Sequence, residues 1–389
     1  MSTRVDTALL GDLKRFGAFD VSQCFHCGNC TAVCPLSNGS DNFPRRMIRY
    51  SQIGDRQRLL ASKEAWLCYY CGECSETCPR QAEPGEFMAA VRRYAIASFD
   101  PTGISRLLYT SKLYTAVLMF VLSLLFALLM LNRGGAMEFD HPAIFQFIPF
   151  EIIHHVGFGV IAVAVLAMVA GIVRMTRMLS RGIWRPSAGE GSAVDGSLVR
   201  KVSSAGRATI AELAAERRYR DCEAESATPW YRSRWFMHGA IMWGFIGLAA
   251  ATAIDYLLLL IVDKVPGQPE PLWHPTRLLG TVAGMVALYG VTFALISRFR
   301  KPDKYSSHSL LSDWLFLWLL FGATFTGFLV EIALYLPQGT TWGYIAFLVH
   351  VVLGMEIVVL LPFTKFAHAV YRPLALFALR MGSSETGQR

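Results

Sequence analysis

"CFHCGNCTAVCP", Cys24 to Pro35, and "CYYCGECSETCP", Cys68 to Pro79, share one spacing, C-x2-C-x2-C-x3-C-P. Together they hold eight of the nine cysteines; Cys222 stands alone in a charged stretch. Four thiolates bind either zinc or an iron–sulfur cluster. Structural zinc usually draws two C-x-x-C pairs from separate turns. Here three cysteines share one tight loop, and the fourth follows after three residues, just before a proline. In such a run the fourth cysteine serves the other of two clusters. The expectation is one [4Fe–4S] cluster on Cys24, Cys27, Cys30 and Cys78, and a second on Cys68, Cys71, Cys74 and Cys34. Gly28 and Gly72 give each loop the backbone freedom to wrap closely. The connection "NFPRRMIRYSQIGDRQRLLASKEAW" is rich in helix formers, so the head is expected to be mostly helical.

Hydrophobic residues make up 53% of the 389-residue chain and charged ones only 17%; mean hydropathy is +0.36. The apolar residues are concentrated after the head. Six blocks, at 108–131, 150–174, 235–262, 274–297, 308–336 and 343–371, each approach the ~20 residues an α-helix needs to cross hydrocarbon. The fold expected is all-α: a helical ferredoxin-like head at 1–104, a six-helix transmembrane bundle at 105–371 with a long loop at about 175–234, and a tail at 372–389. Within that loop, 185–197 reads as a Gly/Ser-rich flexible linker and the segment after it as a short surface helix.

Charge orients the bundle. The loop after span two carries Arg177, Arg200, Lys201, Arg207, Arg220, Arg232 and Arg234 among others, and the loop after span four adds Arg298, Arg300, Lys301 and Lys304. The opposite loops hold only Arg133 and Lys264. This bias predicts a multi-pass protein of the cytoplasmic membrane with head and both termini in the cytoplasm. "MSTRVDTALLGDLKRFGAFD" has no sustained apolar h-region, consistent with a head that stays on the side of synthesis. A reducing cytoplasm suits thiolate ligands. The net charge of +8 is then an orientation signal and a contact for membrane lipid; a nucleic-acid role is not expected.

Seven of nine histidines fall in or at the ends of spans: His154, His155, His238, His274, His308, His350 and His368. Ionisable groups at such depth point to function, and paired neutral imidazoles are a common axial set for b-type haem. His238 and His368 lie at one level on the head side. His350 precedes His368 by 18 residues, roughly 27 Å and five turns along one helix, which puts the two on one face at two depths. His154 or His155 is the expected outer partner of His350, with His274 a further candidate; His274 and His308 also read as rim or quinone-pocket residues. Glu356, Glu331 and Asp255 are candidate proton carriers for quinone chemistry, or hydrogen-bond partners between helices.

The head resembles heterodisulfide reductase C subunits, which carry the same paired cysteine runs. The body resembles the membrane cytochrome b of that system and the γ subunit of respiratory nitrate reductase, whose last helix also presents two haem histidines. Their fusion resembles the C subunits of quinone-interacting membrane-bound oxidoreductase (Qmo) complexes. One position departs: the γ-type helix with the inner ligand has a second histidine ten residues on, where this chain has Leu248. The outer ligand then comes from elsewhere, span two being the expected donor, or the outer haem is absent. The resemblance implies an electron-transfer subunit between menaquinone, two b haems, two clusters, and flavin and iron–sulfur subunits like heterodisulfide reductase A. Those would connect to adenylylsulfate reductase in dissimilatory sulfur metabolism. Rival readings are the arm of a related complex serving sulfite reduction, or a haem-free anchor for a ferredoxin head.

Overall fold

Prolines, caps and left-handed glycines cut the first hundred residues into short helices. The computed structural model describes residues 5–37, 42–180, 196–216, 219–220, 229–262, 267, 269–300 and 309–382. Cys222, His308 and Lys264, most of the 185–197 linker and the end of the tail lie outside them. The head comprises α1 (Leu9–Arg15), α2 (Asn29–Ala32), α3 (Arg45–Gln52), α4 (Arg56–Ala61), α5 (Glu64–Leu67), α6 (Glu73–Glu76), α7 (Pro84–Phe99) and α8 (Ile104–Thr110). The Asp55 carboxylate accepts from Arg58 N at 3.0 Å and starts α4. Pro84 occupies the first turn of α7, where its missing N–H costs no helical bond.

Among the described residues six helices are long and apolar enough to cross a membrane: α9 (Lys112–Leu131), α11 (Phe150–Ser180), α13 (Arg234–Val262), α14 (Pro275–Arg300), α15 (Leu311–Leu334) and α16 (Thr341–Leu360). Between them lie the short α10 (Ile144–Phe147) and α12 (Gly196–Ala215), and α17 (His368–Gly382) follows the last span. Among the described residues there is no strand, so the all-α expectation holds. Helices α13 and α14 lie closest, because Gly244 and Gly290 let Ala287 and the Met237–Ile241 backbone approach where a Cβ would collide. Onward, α14 packs on α15, α15 on α16, and α16 on α9 and α11.

The sixth span does not run to 371. Pro362 has no N–H to donate and its ring crowds the carbonyl one turn back. The helix therefore ends at Leu360, the chain makes a 3-10 turn at Lys365–Ala367, and His368 opens a new helix. His350 and His368 thus sit on two helices, and the five-turn same-face spacing expected between them does not exist. The expected tail is in part α17, which packs on α5 and α12. The loop helix is also longer than expected, beginning at Gly196.

Head and bundle share one core. Head residues such as Trp66, Phe87 and Phe99 are buried with Met168, Met175 and Leu179 of α11 and Tyr371 and Ala375 of α17. Trp66, Phe99 and Tyr371 meet with ring centroids 5.3–6.1 Å apart; each such ring, fully buried, contributes roughly 1.5–3 kcal/mol. Beside this core lies a charge knot. Asp313, 2% exposed at the start of α15, lies 2.9 Å from Arg93 of α7, 2.5 Å from Lys365 and 3.7 Å from Arg298 of α14. Arg93 also donates to Phe16 O at 2.8 Å. Burial pushes Lys365 down to about 8, against the pull of Asp313. Removing one partner of a buried pair leaves uncompensated charge, which typically costs about 3–5 kcal/mol. Asp313→Asn is accordingly expected to lower stability by roughly that amount, read as an earlier thermal transition in detergent and faster proteolytic release of the head.

Candidate metal centres

The two cysteine loops repeat one backbone path. His26 and Tyr70, at φ 63° and 59°, precede the second cysteine of each run; Gly28 and Gly72, at φ 97° and 96°, follow it. Left-handed non-glycine residues cost of order 1–3 kcal/mol and cluster where a site demands them. Each glycine opens a short helix that carries the third cysteine, Cys30 in α2 and Cys74 in α6. These helices touch, and Asn29 Nδ2 donates to Thr77 O at 3.5 Å.

Across that contact each fourth cysteine lies beside the opposite run. Cys34 lines one cavity with Cys68, Cys71 and Cys74, walled by Phe43, Tyr70 and Met88. Cys78 instead lies among the charged neighbours of Cys24 and Cys30. Burial first, and neighbouring cysteines after it, push the Cys30 thiol up to about 11 and Cys34 to about 12. Loading with metal therefore releases protons. Among the described residues no three His, Cys, Asp or Glu side chains converge on a point fit for a single ion. The four thiols around one cavity fit a multi-iron cluster. Backbone N–H groups of Tyr70 and Ala82 reach Cys68 and Cys78 Sγ, each at 3.3 Å.

The groups face different ways. Cys27 is exposed with Phe25 beside it, whereas Cys68 is buried. The loop around Cys68 meets the bundle: Arg234 Nη2 donates to Tyr70 O at 2.9 Å, and the Arg372 guanidinium lies 3.8 Å from the Tyr69 ring centroid. Tyr69 OH donates to Glu212 of α12 at 2.7 Å. Its ring sits 5.3 Å from Tyr219, and Tyr219 sits 6.0 Å from His238.

His238 and His368 face each other with ring centroids 6.1 Å apart. An imidazole nitrogen binds a metal at about 2 Å, which sets two axial rings' centroids roughly 6 Å apart; the pair fits a six-coordinate haem. Nδ1 of His368 donates to Lys365 O, and Nδ1 of His238 to Glu216 Oε1 at 2.6 Å. Burial, then the His238 imidazole, holds His368 neutral, pushed down to about 3. His350 stands mid-way along α16 and donates from Nδ1 to Ala323 O at 3.0 Å. It lies against Gly327, where a Cβ would come within 3.1 Å of the ring. His154 donates from Nδ1 to Phe150 O at 2.8 Å and stacks on Tyr256 at 5.0 Å. A carbonyl or carboxylate only accepts, so all four carry their proton on Nδ1 and keep a lone pair on Nε2, the nitrogen that a bound haem iron would take. His155 is exposed. His274 Nδ1 is 2.9 Å from Thr276 Oγ1 at the far rim.

The acids separate. Glu356, 1% exposed, accepts from Ser123 Oγ of α9 at 2.5 Å, on a different face of α16 from His350. Glu331 pairs with Arg277 at 2.8 Å and accepts from Thr281 at 3.0 Å, tying α15 to α14. Asp255 is half-buried next to Tyr256. Sequence reasoning missed Glu212, Glu216, Tyr219 and Arg372. They sit in charged stretches with no metal-type spacing, and only the packing of α12 and α17 onto the head brings them to the site.

Residues 20–82 match the family described as 4Fe-4S dicluster domain, so the head is a 4Fe–4S domain. Residues 103–388 match the family described as Citrate utilization protein B. The chain belongs to the citrate utilization protein B family. This family member is also similar to the E subunits of the dihydromethanophenazine:CoB–CoM heterodisulfide reductases of Methanosarcina mazei and Methanosarcina acetivorans. Each is 26% identical over 161 residues, 38% of this chain and 61% and 60% of theirs. A heterodisulfide reductase C-like protein of Archaeoglobus profundus is 33% identical over 111 residues, 27% of this chain and 59% of that one. The chain thus spans about three fifths of the length of these relatives. Together the matches fit a fusion of a heterodisulfide reductase C-like head with an E-like membrane part. No solved structure matches the chain.

If Cys34 serves the second run, Cys34→Ser abolishes the same electron paramagnetic resonance signal as Cys71→Ser and leaves the one that Cys27→Ser removes. Iron is expected to fall from about eight to about four atoms per chain. Pairing of Cys34 with its own run predicts the opposite grouping.

Proposed function

We propose that this citrate utilization protein B family chain is the membrane electron-transfer subunit of an oxidoreductase, connecting a membrane quinone with a soluble partner at the head. One observation carries the reading: ligand residue Cys68 is followed by Tyr69, whose ring meets Tyr219, which meets His238, which faces His368. Iron–sulfur clusters and bis-histidine haem b supply one-electron carriage when bound. The chain's residues give that carriage a direction in space. Cys24, Cys27, Cys30 and Cys78 hold the cluster nearest solvent, where exposed Phe25 and Arg80 (cation to ring 6.0 Å) offer a docking surface. Cys34, Cys68, Cys71 and Cys74 hold the inner cluster against the bundle.

His238 and His368 hold the head-side haem, and His350 with His154 holds a second; exposed His155 is the less suited of the adjacent pair. Glu356 is the acid best placed to hold a proton at mid-membrane depth, since Glu331 is neutralised by Arg277. The basic loops orient the head to the cytoplasm, and menaquinone is the quinone the sequence resemblance favours. The name of the Methanosarcina relatives couples dihydromethanophenazine to a heterodisulfide, a division of labour that suits this layout.

Two readings of the soluble partner stand. The sequence resemblance to Qmo subunits favours a flavin and iron–sulfur pair linked to adenylylsulfate reductase. The family match over 103–388 favours a partner in citrate utilization. Which flavoprotein co-purifies with the tagged full-length protein separates them.

A reduced-minus-oxidised optical spectrum of the purified chain tests the core of the proposal. A b-type α-band is expected over broad iron–sulfur absorption, lost in part in His368→Ala, which also stops quinol from reducing the clusters. A spectrum with no α-band leaves only an anchor for a ferredoxin head.

A further inference from the structure

Four histidines, three of them half-buried and His238 exposed on one side, commit Nδ1 to an oxygen acceptor that cannot donate, and they differ in one respect. His154, His350 and His368 donate from Nδ1 to backbone carbonyls of Phe150, Ala323 and Lys365. His238 alone among them donates to a carboxylate, Glu216 Oε1. We propose that Glu216 is a positioning residue that fixes the His238 ring and lowers the reduction potential of the head-side haem. This rests on the haem reading above.

Three features of Glu216 support a purpose-built role. Its backbone is left-handed, φ 46°, at the residue just after α12, a place that commonly takes glycine. An extended side chain there carries a conformational cost that a glycine would avoid. It is 7% exposed, and its second oxygen, Oε2, is buried without a hydrogen bond. A desolvated carboxylate with half its acceptor capacity unused is expensive, and the contact it secures is the short bond to His238. Finally, Glu216 O accepts from the N–H groups of Tyr219 and Arg220 at 2.9 and 3.1 Å. The same turn therefore seats Tyr219 between Tyr69 and His238.

The electrostatic consequence has a definite sign. A carboxylate on Nδ1–H draws the proton towards itself and makes Nε2 a stronger donor to iron. A negative charge from a buried carboxylate this close to the ring also favours Fe(III) over Fe(II). The couple is one electron. Arg92 and Arg372 act on the site from the His368 side and are unchanged by substitution at 216. The expected result is two haems with separated potentials, the head-side one more negative.

The test is a redox titration of the full-length protein in detergent, followed at the α-band and by the ferric low-spin resonance signals, for wild type, Glu216→Gln and Glu216→Asp. Glu216→Gln keeps an acceptor without the charge, and is expected to raise one midpoint potential and leave the other in place; Glu216→Asp is expected to restore it. Two outcomes overturn the role: unchanged potentials in Glu216→Gln with haem content intact, or an equal shift of both haems. Loss of one haem from Glu216→Gln, with cluster signals intact, also overturns tuning in favour of ligand orientation alone. A wild type that lacks b-type haem fails earlier, and sinks the haem reading instead.

Discussion

A single buried carboxylate ties the head to the membrane bundle. Asp313 opens α15 and gathers Arg93 from the last long head helix, Arg298 from the end of α14 and Lys365 from the turn after the last span. Three cations around one acid cannot separate without exposing unpaired charge in a poorly solvated seam, a cost of several kcal/mol for each ion. The seam is therefore rigid, and it has to be. The cysteine loops are carried by the head, His238 by α13 and His368 by α17, so their spacing is only as fixed as the joint between those bodies. The shared core of Trp66, Phe99 and Tyr371 supplies the area and Asp313 supplies the register.

The cysteines are legible because a cluster imposes its spacing on a contiguous stretch of chain. Both runs, and the exchange of Cys34 and Cys78, follow from spacing, and the structure places Cys34 in a cavity with the second run. Six spans are legible for a similar reason, since hydrocarbon thickness fixes length and composition. The exception is Pro362. Hydropathy continues through "LLPFTKFAHAV" and masks the break that the proline imposes. The expectation that one helix carries both His350 and His368 falls with it. His368 is nevertheless brought to His238, by the 3-10 turn and the new helix rather than by periodicity.

Glu216, Tyr219 and Glu212 are illegible for a different reason. Their roles depend on which surface α12 lies against, and a helix of alternating charged and small residues carries no record of that. The stretch reads as a solvated surface helix, and most of its side chains are indeed exposed. Only contact with α17 and the Cys68 loop turns two of its acids inward.

The histidines show why a shared hydrogen-bond pattern carries more weight than shared depth. Depth alone admits a histidine as an interfacial anchor. A ring whose Nδ1 is committed to an acceptor has lost its tautomeric freedom and presents one lone pair in one direction. An anchor has no use for that restriction, because its task is met by either nitrogen in water. His154 and His350 meet it within the bundle through carbonyls of helices that already satisfy most of their own bonds, and His368 through the carbonyl of Lys365, the residue held by Asp313. The knot that ties head to membrane and the bond that orients a head-side imidazole are thus one residue apart in a chain of contacts. A disturbance of the joint reaches the His368 imidazole directly.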